Sequence, residues 1–237
     1  MQCHMQFSRP VSKNFLYGFQ KFSGQQCRST LHLPIGSAKL EKERIGIEWQ
    51  EVEKMKKVCV FLADGFEEIE GLTVVDILRR AGIETETVSV MGRKEIQGAH
   101  GIKVEADSIL EESGAEAADM LVLPGGMPGT LNLKACTGLI ELLKSFDRDK
   151  KYIAAICAAP SILAELGILK GRKACSYPSF EDKLDGADIV REPAVTDGHI
   201  TTGRGMGTAI PFALRLTALL AGEAKSEEIR ESIVYDG

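Results

Sequence analysis

The sequence predicts an α/β protein: a doubly wound, mostly parallel sheet with helices on both faces, formed by residues 55–237. Three observations predict it. Continuous apolar runs such as Val58-Cys59-Val60-Phe61-Leu62-Ala63 recur along the chain, and such runs read as strands buried on both faces. Helical patterns separate them. The runs end in acidic, glycine-rich or cysteine-bearing turns, and in open α/β sheets sites form beyond the carboxyl ends of the strands.

Each element follows from its residues. Val58 to Ala63 is the first buried strand, and Ile69 to Ala81 is a helix with Leu72, Val75, Ile77 and Leu78 apolar and Gly82 as its stop. Thr85 to Met91 is a strand. Ile96 to Glu105, interrupted by Gly98 and Gly101, reads as a hairpin or irregular strands. Asp119-Met120-Leu121-Val122-Leu123 is a buried strand closed by Pro124-Gly125-Gly126, and residues 136–147 are a helix. Tyr152-Ile153-Ala154-Ala155-Ile156-Cys157 is a strand that runs into Ala158-Ala159-Pro160. Ser161 to Gly167 then reads as a short helix. Lys173 to Ser176 and His199 to Thr202 are short strands. Thr208 to Ala221 is a long apolar helix and Ser226 to Glu231 a short terminal one.

Composition narrows the function classes. A 44% hydrophobic fraction over 237 residues supports a well-packed core. No apolar run approaches a membrane span, and a net charge of -5 argues against nucleic acid as the main partner. The cysteines (Cys3, Cys27, Cys59, Cys136, Cys157, Cys175) lack the close paired spacing of a zinc site, and His4, His32, His100 and His199 are dispersed. No metal site is expected, and a reducing cytoplasm is the simplest home.

Residues 1–54 read as outside the fold. Residues 1–40 hold five Lys/Arg and no acid, as a transit peptide does, which would place the protein in an organelle. Helical amphipathicity is poor, however, and Gly18, Gly24, Pro34 and Gly36 interrupt it. The competing expectation is that Met55 is the true start. Met55-Lys56-Lys57 ahead of a hydrophobic strand looks like a bacterial start, and codons for Gln50-Glu51-Val52 can contain AGGAGG, a ribosome-binding sequence. On either reading this segment is expected to be poorly ordered.

Three strand ends carry unusual chemistry. Cys157 lies at a strand-to-helix turn, which can expose a side chain above a sheet edge beside a helix N-terminus that lowers a thiol pKa. Periodicity alone does not separate that reading from a buried core cysteine. Asp64-Gly65-Phe66-Glu67-Glu68-Ile69-Glu70 opens the first helix. Glu67 and Glu68 read as a solvated helix start, whereas Glu70, one turn further in, suits a partly buried carboxyl of raised pKa. Leu123-Pro124-Gly125-Gly126-Met127-Pro128-Gly129 is either a tight turn or a pocket wall whose Gly125 and Gly126 N–H groups hold an oxyanion.

Together these motifs resemble the ThiJ/PfpI superfamily, and most closely its branch containing the Parkinsonism-associated deglycase. The resemblance covers nearly all of residues 57–237. It rests on Ala63 to Glu70, Asp76-Ile77-Leu78-Arg79-Arg80-Ala81-Gly82, Leu123 to Gly126, Ala154 to Pro160 and Thr202-Gly203-Arg204-Gly205-Met206-Gly207-Thr208. It implies a flavodoxin-like fold and a homodimer. It makes Cys157 the nucleophile and Glu70 the carboxyl bonded to its sulfur, with backbone N–H groups from Gly125, Gly126 and Ala158. Many members of the branch carry a His-Pro pair where this chain has Tyr177-Pro178, so imidazole as base is in doubt and Tyr177 is either a donor or a pocket wall. Ala158, where the peptidase-like branch has histidine, argues against a protease. Arg204 either binds an anion at the pocket mouth or is structural. The activity implied is glyoxalase- or deglycase-like, on reactive 2-oxoaldehydes or glycated adducts, without cofactor. The alternative is a redox-responsive protein or chaperone whose Cys157 is oxidised rather than turning over substrate.

Overall fold

The structure, a computed structural model, describes residues 55–237. The expectations for residues 1–54 lie outside the described residues. The chain runs through β1 (Lys57–Leu62), α1 (Glu68–Arg80), β2 (Glu84–Ser89), the hairpin β3 (Glu95–Gln97) and β4 (Lys103–Glu105), and β5 (Ser108–Ile109). Next come β6 (Met120–Leu123), α2 (Gly129–Ala135), α3 (Thr137–Arg148), β7 (Tyr152–Ile156) and α4 (Pro160–Glu165). It finishes with β8 (Lys173–Ala174), β9 (Asp188–Ile189), β10 (Ala194–Asp197), β11 (Ile200–Gly203), α5 (Ala209–Ala221) and α6 (Glu223–Ser232).

Seven strands form the main sheet in the order β10-β11-β7-β6-β1-β2-β5. Every neighbouring pair is parallel except β10–β11. The central order β2-β1-β6-β7-β11 is that of a flavodoxin-like sheet, with its switch point between β1 and β6. Alternation along β1 shows why a continuous apolar run is needed. Val58, Val60 and Leu62 enter one core with Val74 and Leu78 of α1 and Phe212 and Leu216 of α5. Cys59, Phe61 and Ala63 enter the other with Leu139, Leu143 and Phe146 of α3 and Ile162 of α4. Truncating a fully buried ring such as Phe212 costs about 3–5 kcal/mol.

The structure departs from the sequence reading in places. Lys173–Ala174 pairs with β9 in a separate two-stranded sheet rather than joining the main one. The helix expected over 136–147 is preceded by a second helix, α2, and β10 folds antiparallel onto β11 through a turn at Gly198, whose φ is 63°. Among the described residues no helix is long and apolar enough to cross a membrane.

Candidate active site

The carboxyl ends of β1, β6, β7 and β11 lie side by side, and the turns that follow them build one site. Cys157 comes immediately after β7 with φ 65°, a left-handed conformation that strains any residue with a Cβ. Backbone bonds on both sides hold it there. Its N–H donates to the Gly203 carbonyl (3.0 Å) and its carbonyl accepts from the Tyr177 N–H (2.9 Å). Pro160 then opens α4 at a position where no N–H is required.

Glu70, in the first turn of α1, has no exposed surface, whereas its neighbours Ile69 and Leu72 are outside. The helix therefore turns its carboxyl inward and two apolar side chains outward. Glu70 Oε2 accepts from the Gly125 N–H at 2.9 Å. Its Oε1 is buried without a hydrogen bond of regular geometry, and the Cys157 thiol is the side chain this carboxyl faces. A Cβ on Gly125 would lie 2.7 Å from Cys157 Cβ and 2.8 Å from Glu70 Oε2, so only glycine admits the pair. At Gly126, with φ 92°, a Cβ would stand 2.3 Å from the Glu67 nitrogen.

Burial pushes the Glu70 carboxyl from 4.5 up to about 7, against the opposing effect of its bonds to Cys157 and Gly125. Burial also pushes the Cys157 thiol up to about 12, and the charge of Glu70 adds to this, while the N–H groups of Gly126 and Ala158 act in the other direction. The lowered thiol pKa expected from the turn is thus not what this environment gives. The pocket admits one negative charge, and while Glu70 carries it the sulfur stays protonated. A carboxyl titrating near neutrality beside a thiol can take the proton from sulfur as the sulfur attacks an electrophile.

The other expected residues fall into place unevenly. Gly126 and Ala158 direct N–H groups at the sulfur. The Gly125 N–H is committed to Glu70, so Gly125 orients the carboxyl and is not free for an oxyanion. Tyr177 is 42% exposed, and its ring lies against Gly205. Tyr177, Arg204 and Met206 line a 170 Å³ pocket with Pro178, Gly205 and Thr208. One guanidinium nitrogen of Arg204 lies 3.6 Å from Glu181, and its Nε is buried without a partner. Sequence reasoning missed Glu181, which also pairs with Arg191; no local pattern marks it, because its partners come from distant turns.

Neither histidine of the described residues replaces the expected His-Pro. His199 precedes β11 at the opposite end of the sheet from Cys157 and bonds Asp147 at 2.8 Å. His100 bonds Glu68 at 2.9 Å. Glu67 and Glu68 were expected on a solvated helix start, but both are buried, at 6% and 4% exposure. The turn between β3 and β4 closes over them, and the N–H groups of His100 and Ile102 donate to Glu68.

Comparison with known proteins places the chain in a family. The model of the DJ-1/PfpI family matches residues 56–219. The chain is 38% identical over 177 residues to protein DJ-1 homolog A of Arabidopsis thaliana, covering 73% of this chain and 45% of that protein. It therefore spans less than half the length of that plant relative. It is 31% identical over 165 residues to the glutathione-independent glyoxalase DJR-1.2 of Caenorhabditis elegans, covering 69% of this chain and 87% of that one. The solved structure of oxidized Toxoplasma gondii DJ-1 superposes with a TM-score of 0.74 at 34% identity, covering 77% of this chain and all of that one. A family match across most of the described fold, on a flavodoxin-like sheet with this thiol–carboxyl pair at its strand ends, means that the chain belongs to the DJ-1/PfpI family.

Proposed function

We propose that this protein is a cysteine-dependent enzyme acting on reactive 2-oxoaldehydes such as methylglyoxal, or on their adducts with amines and thiols. The observation that carries the reading is the buried Glu70 carboxyl, held by Gly125 against a thiol fixed on a left-handed turn. A similar protein named as a glutathione-independent glyoxalase supports it.

Each step balances without an external oxidant. The Cys157 sulfur adds to the aldehyde carbon, and the thiol proton passes to Glu70 and from Glu70 to the aldehyde oxygen, which gives a hemithioacetal and leaves Glu70 ionised. Glu70 then removes the proton from that carbon and returns a proton to the neighbouring carbonyl carbon through an enediol, which leaves a thioester. Gly126 and Ala158 supply N–H groups to the developing charge. Water cleaves the thioester, releasing a 2-hydroxy acid and the free thiol. On a hemiaminal or hemithioacetal adduct, the amine or thiol first leaves with the hydroxyl proton of the adduct, which frees the aldehyde, and the same steps follow.

The test is methylglyoxal consumption and lactate formation without glutathione. Wild-type protein turns over, and Cys157→Ser does not; full activity in that variant rules the mechanism out. A second reading, a redox-responsive thiol, is favoured by the similar Toxoplasma gondii protein having been solved in an oxidized form. Selective oxidation of Cys157 by mild peroxide in a protein that consumes no 2-oxoaldehyde supports that reading instead. The proposal includes a homodimer, supported by the exposed apolar Ile69 and Leu72 on α1. Light scattering on the eluting species tests it, and a monomer at all concentrations contradicts it.

A further inference from the structure

Beside the thiol pocket lies a second group of ligating side chains. Glu67, Glu68 and His100 each offer one atom, and the three lie within 4.8 Å of one another. The Glu68 Oε2 to His100 Nδ1 distance is 2.9 Å, and Glu67 Oε2 to the same nitrogen is 3.7 Å. Donors about 2.0–2.2 Å from a metal ion stand roughly 3–3.5 Å apart in neighbouring coordination positions, so these separations suit three donors on one side of one ion.

Glu67 makes this more than an acidic helix start. Its side chain is 8% exposed, yet it caps no helical N–H. No described residue donates a hydrogen bond to its carboxylate. Its Oε2 meets His100 Nδ1 at 3.7 Å and its oxygens keep some contact with water, and two carboxylates this enclosed beside one imidazole favour a cation between them. Glu68 is fixed separately, because its Oε1 accepts from the His100 and Ile102 N–H groups at 2.8 and 3.4 Å. Gly98 keeps that space open, since a Cβ there would stand 2.3 Å from Glu68 Oε1. The exposed His100 ring leaves the outer face open to water ligands.

We propose that Glu67, Glu68 and His100 bind one divalent transition-metal ion, in a two-carboxylate, one-imidazole set that suits zinc, cobalt or manganese better than calcium. The probes are Zn²⁺ by titration calorimetry and Co²⁺ by visible absorption, on the chelator-stripped full-length chain. The wild type takes up Zn²⁺ at this site, and Co²⁺ shows d–d bands. His100→Ala and Glu67→Gln, each with wild-type circular dichroism, weaken Zn²⁺ at least tenfold and lose the bands. Cys157→Ser keeps both, because the thiol is not a ligand. Binding that survives both ligand substitutions belongs elsewhere on the chain and overturns the proposal. So does binding lost in Cys157→Ser, or no saturable binding at all.

Discussion

Replacing Glu70 with glutamine should stabilise this protein, and the gain should grow with pH. The carboxyl is fully buried and titrates at about 7 in the folded chain, against an ordinary 4.5. Below pH 4.5 it is protonated in both folded and unfolded states and costs nothing. As pH rises from 4.5 through 7, the unfolded chain ionises first, and the folded state loses stability relative to it. By about pH 8 the loss amounts to roughly 3 kcal/mol. Glutamine is neutral throughout, and its side-chain oxygen can still accept from the Gly125 N–H. The stability difference between Glu70→Gln and wild type should therefore widen by about 2–3 kcal/mol between about pH 5 and about pH 8. Urea denaturation in buffer containing EDTA measures it. Repeating the pair in a Cys157→Ser background removes the thiol's own titration. A gap that is equal at both pH values, or that narrows as pH rises, refutes the argument that burial sets the state of Glu70.

Other outcomes follow from the same geometry. The kcat/KM for methylglyoxal should rise with pH through about 7 as Glu70 becomes the base and flatten above it; a profile already flat below pH 6 contradicts this role. Glu70→Gln should lower kcat about 10²–10⁴-fold while leaving the fold intact. Gly126→Ala places a Cβ 2.3 Å from the Glu67 nitrogen at φ 92°, and should cost at least about 1–3 kcal/mol in denaturant titration. His199→Ala removes the bond to Asp147 at the far end of the sheet; thermal unfolding should register the loss, and turnover of the folded protein should not.

Much of the fold was legible because the strands near its centre are buried on both faces. Val58 to Leu62, Met120 to Leu123 and Ile153 to Ile156 show it as unbroken apolar runs, and their ends located the site. The short outer elements left no such mark. Asp188–Ile189 is exposed, and Ser108–Ile109 is two residues long. Cys157 and Glu70 were legible from turn context and from depth in the first helix. The raised pKa of Glu70 was legible with them, but that of the thiol was not, because it depends on burial and on the charge of Glu70, a carboxyl held by Gly125, 55 positions away along the chain. Glu67 and Glu68 were misread for the same reason. What encloses them is the turn around His100, 32 positions beyond Glu68, and no local pattern in the acidic run reveals it.

The central claim is that the Cys157 sulfur itself attacks the carbonyl carbon. Graded peroxide treatment tests it most directly, with residual glutathione-free methylglyoxal turnover plotted against the fraction of Cys157 carrying two added oxygens, read by peptide mass. The account predicts that activity falls in direct proportion to that fraction and vanishes when every Cys157 is modified. Turnover that persists in fully modified protein contradicts it.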